Sequence, residues 1–329
     1  MRMTAMTFDG RSATGRIASV MSVWLVLVGA KICWADQAAT IAAIEKLDGK
    51  VTLDEKAQGR PVIRIDLTLT KVTDADLVLI EQCPALQILN LDITGITDAG
   101  LAHLKGLERL QRLNLSATKV TDAGVVQLGR LTRLRWLDLG ITEIGDKGLE
   151  VVKGMTELQR LLLARTQITD AGIVHLKPLK QLQMLDLSGT AITDKGLSAL
   201  EASDQLQELI LGSKISNAGL ANMKKWPHLQ VLNIAADVTD DGIAQLKALK
   251  EINNLQLSSE KLTDAVMGSI KELTKLETLS ITNAKLTDSC IAALGSLKKL
   301  KFLYLPANGI SEPGLKRLQD LLPTCKIRN

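Results

Sequence analysis

The stretch that decides the fold runs from Leu86 to Arg109, LQILNLDITGITDAGLAHLKGLER. It opens on an L-x-x-L-x-L frame, and 24 residues later Leu110 opens the frame again with LQRLNL. Further copies begin at Leu134 (LRWLDL), Leu158 (LQRLLL), Leu182 (LQMLDL), Leu206 (LQELIL), Leu229 (LQVLNI), Ile252 (INNLQL), Leu276 (LETLSI) and Leu300 (LKFLYL). Val62 to Leu67 (VIRIDL) is an earlier copy, and Leu322 to Ile327 (LPTCKI), with Cys325 in a leucine slot, is a later one. The interval shortens to 23 residues on each side of the Leu229 copy and to 22 before the last. A fixed period of this length marks a stacked array of like units.

Each unit carries two periodicities. The L-x-L alternation predicts a strand with one buried face. Leu101, Leu104 and Leu107 then follow at helical spacing, predicting a short helix that returns antiparallel to the strand. A lone unit cannot bury its leucines, whereas stacked units bury them continuously. Helices are about 10 Å wide and strands about 4.8 Å apart. The stack must therefore curve, with the strands inside. The expected fold is an α/β solenoid, a horseshoe of about twelve parallel strands on the concave face and short helices on the convex face. Composition agrees: 46% of residues are hydrophobic but only 2% are aromatic, so the core is aliphatic.

The GITDAGL segment, Gly95 to Leu101, invites a chemical reading of Asp98, and its column answers it. The position of Thr97 is filled by Thr73, Thr121, Gly145, Thr169, Thr193, Ser216, Thr239, Thr263, Thr287 and Ser311 in the other units, all favoured helix N-caps. Ile96 and Leu101 then stand as a hydrophobic staple. Asp98 falls in the first turn, as do Asp122, Asp170 and Asp194, facing the positive end of the helix dipole. A column with one carboxylate per unit does not converge on a point, and a hard cation wants about six or more oxygens. No metal or cofactor is expected. Gly100 also recurs, but Asp76, Val266 and Cys290 replace it in some units. Close approach between units, and not a positive φ, is the reading for that column.

These motifs are the leucine-rich-repeat pattern, which covers Val62 to Ile327. The ITDAGL segment resembles the cysteine-containing subclass of those repeats. Thr94, Thr118, Thr142, Thr166 and Thr190 stand where that subclass often has cysteine. The chain is similar to exported leucine-rich-repeat proteins of some environmental bacteria. The resemblance implies a horseshoe and a binding role, and it implies no catalytic residue.

Export is expected from the first 35 residues. Arg2, Arg11 and Arg16 precede an apolar run from Ile17 to Ala30, and small residues lead up to Ala35. This is the form of a signal peptide, with a run too short for the roughly 20 residues that span a bilayer. Residues 1–35 are thus read as leader, 36–61 as an N-terminal cap of helix plus short strand, and 62–329 as the array, closed by a strand at 322–327. The leader's four basic residues and one acid account for three of the four net positive charges. A nucleic-acid partner loses its support. Cys83, Cys290 and Cys325 show no paired spacing and read as buried thiols.

Partner recognition is expected on the concave face, where the third and fifth frame positions point. Three of the four aromatic residues beyond the leader, Trp136, Phe302 and Tyr304, fall there; the fourth, Trp226, takes a leucine slot. Aromatics and arginine are enriched in binding hot spots. Trp136 has Arg112 and Arg160 at the same position in adjacent units, an Arg–Trp–Arg stack with Asp138 and Arg165 nearby. Phe302 and Tyr304 form a second patch. The competing structural readings are a self-satisfied surface ladder and a cover for the last coil. No Ser-His-Asp set or zinc spacing emerges; His103 and His175 read as solvent-facing. The expected function is a non-enzymatic, monomeric scaffold that binds a protein, or alternatively a glycan. An adaptor delivering a client to another machine, by resemblance to the repeats of F-box proteins, and an envelope structural protein are the alternatives.

Overall fold

The computed structural model describes residues 37–200, 204–307 and 309–329. The expected leader lies outside the described residues. Thirteen strands form one open sheet whose spatial order follows the chain. Residues 37–46 are helical, and β1 (Lys50–Leu53) pairs antiparallel with β2 (Val62–Asp66). From β2 onward every pairing is parallel: β3 (Ile88–Asn90), β4 (Arg112–Asn114), β5 (Trp136–Asp138), β6 (Arg160–Leu162), β7 (Met184–Asp186), β8 (Glu208–Leu211), β9 (Val231–Ala235), β10 (Asn254–Ser258), β11 (Thr278–Thr282), β12 (Phe302–Tyr304) and β13 (Lys326–Arg328). The twelve parallel strands are the twelve frames of the sequence.

The frame leucines of neighbouring coils pack into one continuous core, with Leu113, Leu137, Leu161 and Leu185 fully buried. Trp226 fills its leucine slot at 1% exposure. Cys83, Cys290 and Cys325 are buried and unpaired. Burial pushes the Cys83 thiol up to about 11 and the Cys290 thiol up to about 12, so neither is a thiolate at neutral pH.

Five buried threonines and the half-buried Thr70 act as turn locks. Thr94 Oγ1 donates to the Leu91 carbonyl at 2.6 Å, and Thr70, Thr118, Thr142, Thr166 and Thr190 do the same in their coils. The residue before each lock is left-handed: Leu69, Ile93, Ala117, Ile141 and Arg165 at φ between 53° and 61°, and Gly189 at 67°. Left-handed backbone costs a non-glycine residue about 1–3 kcal/mol. The conformation is held from both sides, because the Ile93 N–H also donates to Ser116 O of the next coil at 3.0 Å. Each lock ends its strand after three residues in β3 to β7. Beyond Thr190 the lock is gone, and β9, β10 and β11 run to five residues each. The 23-residue intervals therefore mark a change of strand length inside a sheet that continues without a break.

At the convex side, Thr97 accepts the Ala99 N–H and starts the helix Asp98–Leu101. Thr121, Thr169 and Thr193 cap Asp122–Val125, Asp170–Ile173 and Asp194–Ala199 in the same way. Asp98 has a role beyond facing that helix's dipole: its carboxylate holds the cap of the next coil. Thr121 donates its N–H and its hydroxyl to Asp98 at 2.7 and 2.6 Å. Asp170 holds Thr193 and Asp194 holds Ser216 likewise, and Asp122, with no hydroxyl at Gly145, accepts the N–H groups of Gly145 and Gly148.

This ladder explains the glycine column. A Cβ on Gly124 would sit 2.2 Å from Asp98 Oδ1. The coils with Asp76, Val266 and Cys290 at that place open instead as 3-10 turns, Asp74–Leu77, Asp264–Val266 and Asp288–Cys290. Asp76 also supplies what the first coil lacks. With no preceding aspartate, Thr73 donates both N–H and hydroxyl to Asp76 Oδ2.

Candidate binding site on the concave face

The parallel register sets Arg112, Trp136 and Arg160 side by side on β4, β5 and β6. Each lies one residue before a buried leucine and so points away from the core. With Gln111, Arg135 and Gln159 they line a cleft of about 350 Å³. The Arg112 guanidinium carbon lies 5.2 Å from the centre of the Trp136 ring, within cation–π range. The expected stack is one-sided, however. Arg160 turns away and directs Nη1 to the Met184 sulfur at 3.8 Å. Arg135 pairs loosely with Glu157 at 3.5 Å. Among the described residues neither Arg112 nor Arg160 has a carboxylate partner.

Arg135 was not singled out by sequence reasoning. Its signal was there: it interrupts a column of glutamines, Gln87, Gln111, Gln159 and Gln183, at the second frame position.

Asp138 and Arg165, expected near the stack, are not among the residues that line this cleft. The Asp138 carboxylate folds along its own strand to accept the Gly140 N–H at 2.8 Å. Asn90, Asn114 and Asp186 do the same for Asp92, Ser116 and Ser188. Burial pushes Asp138 up to about 6, with Asp92 and Asp186 adding to the rise against the Gly140 hydrogen bond. Arg165 sits five residues beyond Arg160, past the end of the strand, in the left-handed turn position.

Phe302 and Tyr304 lie on β12, seven strands from Trp136. Phe302 is 39% exposed. Lys326 of β13, its partner in register, reaches over the ring with Nζ 5.8 Å from the ring centre. Lys326 thus overlies the Phe302 ring as Arg112 overlies Trp136, and Trp136 is the less exposed of the two rings. His103 is not simply solvent-facing, because its Nδ1 lies 2.6 Å from Glu81 Oε1 of the preceding coil. Among the described residues no His, Cys, Asp and Glu cluster could hold a metal, and no helix is long and apolar enough to cross a membrane.

An open solenoid of parallel strands and short helices, with an arginine-lined cleft around Trp136 on the face of its sheet, defines a repeat scaffold. The chain belongs to the leucine-rich repeat region family, whose model matches residues 66–320. No curated protein sequence matches it. Among solved structures it is similar to an internalin of Listeria monocytogenes, at 21% identity and a TM-score of 0.53, covering 89% of this chain and 94% of that one. A leucine-rich-repeat protein of Leptospira interrogans matches at 20% identity and a TM-score of 0.43, over 77% of this chain and 80% of that one. A plant peptide hormone receptor in complex with RGF2 matches at 16% identity and a TM-score of 0.45, over 77% of this chain and 44% of that one. At these identities the likeness is one of fold.

Proposed function

We propose that this chain is an exported binding scaffold that engages a protein partner on its concave face, centred on the cleft around Trp136. Proteins of this repeat family are generally protein-binding scaffolds. The observation that carries the reading is Trp136 itself. It is the largest side chain of the cleft, has no duty in the core, and stands beside two arginines that, among the described residues, lack carboxylate partners. Stacked arginine over an accessible tryptophan is a composition enriched in hot spots. Export is inferred from the basic, apolar and small-residue order of the first 35 residues.

Paired capture from an envelope fraction, with the native chain and Trp136→Ala as baits, tests the reading. A partner retained by the first and lost from the second supports it. Equal retention on both baits removes the cleft from the function.

A further inference from the structure

Leu69, Ile93 and Ile141 combine two features that neither backbone nor core selects. They hold left-handed backbone, and their side chains are 70%, 51% and 52% exposed. That conformation favours glycine or asparagine and is an outlier for β-branched residues. Gly189 occupies the same place a few coils on. Wet apolar side chains held at a conformational cost point to a surface outside the molecule. Register sets them in one row at the end of β2, β3 and β5, with Ala117 between and Arg165 next.

The row shares its coils with the Trp136 cleft. Five residues separate Trp136 from Ile141, so the two are at most about 16 Å apart at about 3.3 Å per residue. In the band between them Asn90, Asn114 and Asp138 spend an oxygen each on N–H groups of their own turns. On one side of it lies an apolar ridge, and on the other, among the described residues, Arg112 and Arg160 have no carboxylate partner.

We propose that both belong to one contact, made by an acidic, aliphatic polypeptide segment of the partner. A carboxylate enters the cleft between Arg112 and Arg160 against Trp136, and aliphatic side chains lie on Leu69, Ile93 and Ile141. The proposal rests on the concave-face reading above. Guanidinium groups only donate and a carboxylate only accepts, often in two parallel hydrogen bonds. Sugar hydroxyls need donors and acceptors together, and the cleft offers acceptors only on two glutamines. A glycan also has no aliphatic side chain to cover the ridge. Along the ridge Lys71, Lys119 and Arg165 stand among the acids Asp66, Asp92, Asp138 and Glu143, so the attraction for a carboxylate comes from the cleft, whose lining holds three arginines and no acid.

The test uses the whole chain against immobilised peptides of about ten residues, long enough at about 3.3 Å each to cross both patches. The arms are acidic–aliphatic peptides, their Asn/Gln counterparts, acidic peptides with serine for the aliphatic residues, phosphoserine peptides, and a uronate polysaccharide. Acidic–aliphatic peptides should bind, and added salt should weaken them. Neutralising the peptide acids, or Arg112→Gln with Arg160→Gln, should cost about tenfold or more in affinity, as expected for a charge-assisted contact. Ile93→Asn with Ile141→Asn should also cost about tenfold, with a melting temperature no lower than native, because asparagine suits the left-handed turn. Equal binding of the neutral peptides overturns the acidic partner; if that binding is still lost in Trp136→Ala, the concave-face reading survives. Binding by phosphoserine peptides or the polysaccharide alone overturns the proposal. Absence of binding in every arm, with cell capture indifferent to Trp136→Ala, overturns both.

Discussion

Asp98 and Thr121 lie 23 residues apart in the chain and share two hydrogen bonds, 2.7 Å from the threonine N–H and 2.6 Å from its hydroxyl. The same hydroxyl oxygen accepts the Ala123 N–H at 3.2 Å. One carboxylate thus orients the cap that starts the next helix. Hydrogen bonds to a charged group are each worth about 1.5–3 kcal/mol, and less where water competes. Asp98→Ala should lower the unfolding free energy by about 2 kcal/mol in denaturant titration. Amide exchange should quicken first around Thr121 and Ala123. Thr121→Gly should cost less, because the Gly145 coil already makes its joint without a hydroxyl, through the N–H groups of Gly145 and Gly148.

The ladder makes stability depend on acid in a defined direction. Hydrogen bonds from the Ser311 hydroxyl and N–H hold the Asp288 carboxyl below the ordinary carboxylate range. For Asp170 burial pushes upward, but hydrogen bonds from Thr193 and Gly196 outweigh it and the net shift is downward. A group lowered in the folded state contributes stability above its unfolded pKa and loses it as pH falls through the folded one. Stability should therefore fall as pH drops below about 4, the unfolded carboxylate value. Asp288→Asn should flatten that slope. The Asn217–Thr239 joint shows that an amide can take the place, with its oxygen 3.0 Å from the N–H and its amide nitrogen 2.8 Å from the hydroxyl oxygen. An unchanged slope between pH 5 and 3 would count against the carboxylates as the titrating groups.

Gly196 should be intolerant of a methyl group for a reason that lies in the coil before it. An added Cβ would meet Asp170 Oδ1 at 2.3 Å. Gly196→Ala should cost about 2–3 kcal/mol by overpacking. Much of that cost should vanish when Asp170→Ala is already present, since the clashing oxygen is gone. A double-mutant cycle by thermal denaturation reads the coupling; strict additivity would show that the glycine serves something else.

Asp138 carries the opposite sign. Its folded pKa of about 6 lies above the ordinary value of 3.8. The folded state then holds its proton more tightly, and the contribution is fully present below about 4 and lost as pH rises through about 6. Asp138→Asn should raise stability by about 1–2 kcal/mol at pH 7, after allowance for partial exposure, and change little at pH 4. Asn90 and Asn114 already make the same turn with an amide.

The periodic leucines made the strands, the stacking and the helix caps readable from the chain, because each depends on neighbours a few residues away or on simple repetition. The aspartate ladder was hidden because its partner lies one coil on, a distance that no local propensity encodes. Leu69, Ile93 and Ile141 gave no sign of left-handed backbone, since that is imposed by the threonine lock and the next coil's carbonyl against their own preference. At the candidate site, register placed Arg112, Trp136 and Arg160 together as read. The turn bond of Asp138 and the left-handed backbone of Arg165 were not legible, since neither appears in a column of residue types.

The head-to-tail joints also fix how such a chain can change length. Excising residues 98–121 would leave Thr97 held by Asp74 and bring Asp122 directly behind it, still facing Gly145. No donor or acceptor would be stranded, and every strand would keep its register. Whole coils can therefore be gained or lost with every joint intact. A single residue can also go where the joint itself persists, as Asp194 with Ser216 and Asn217 with Thr239 show at a spacing of 22 residues.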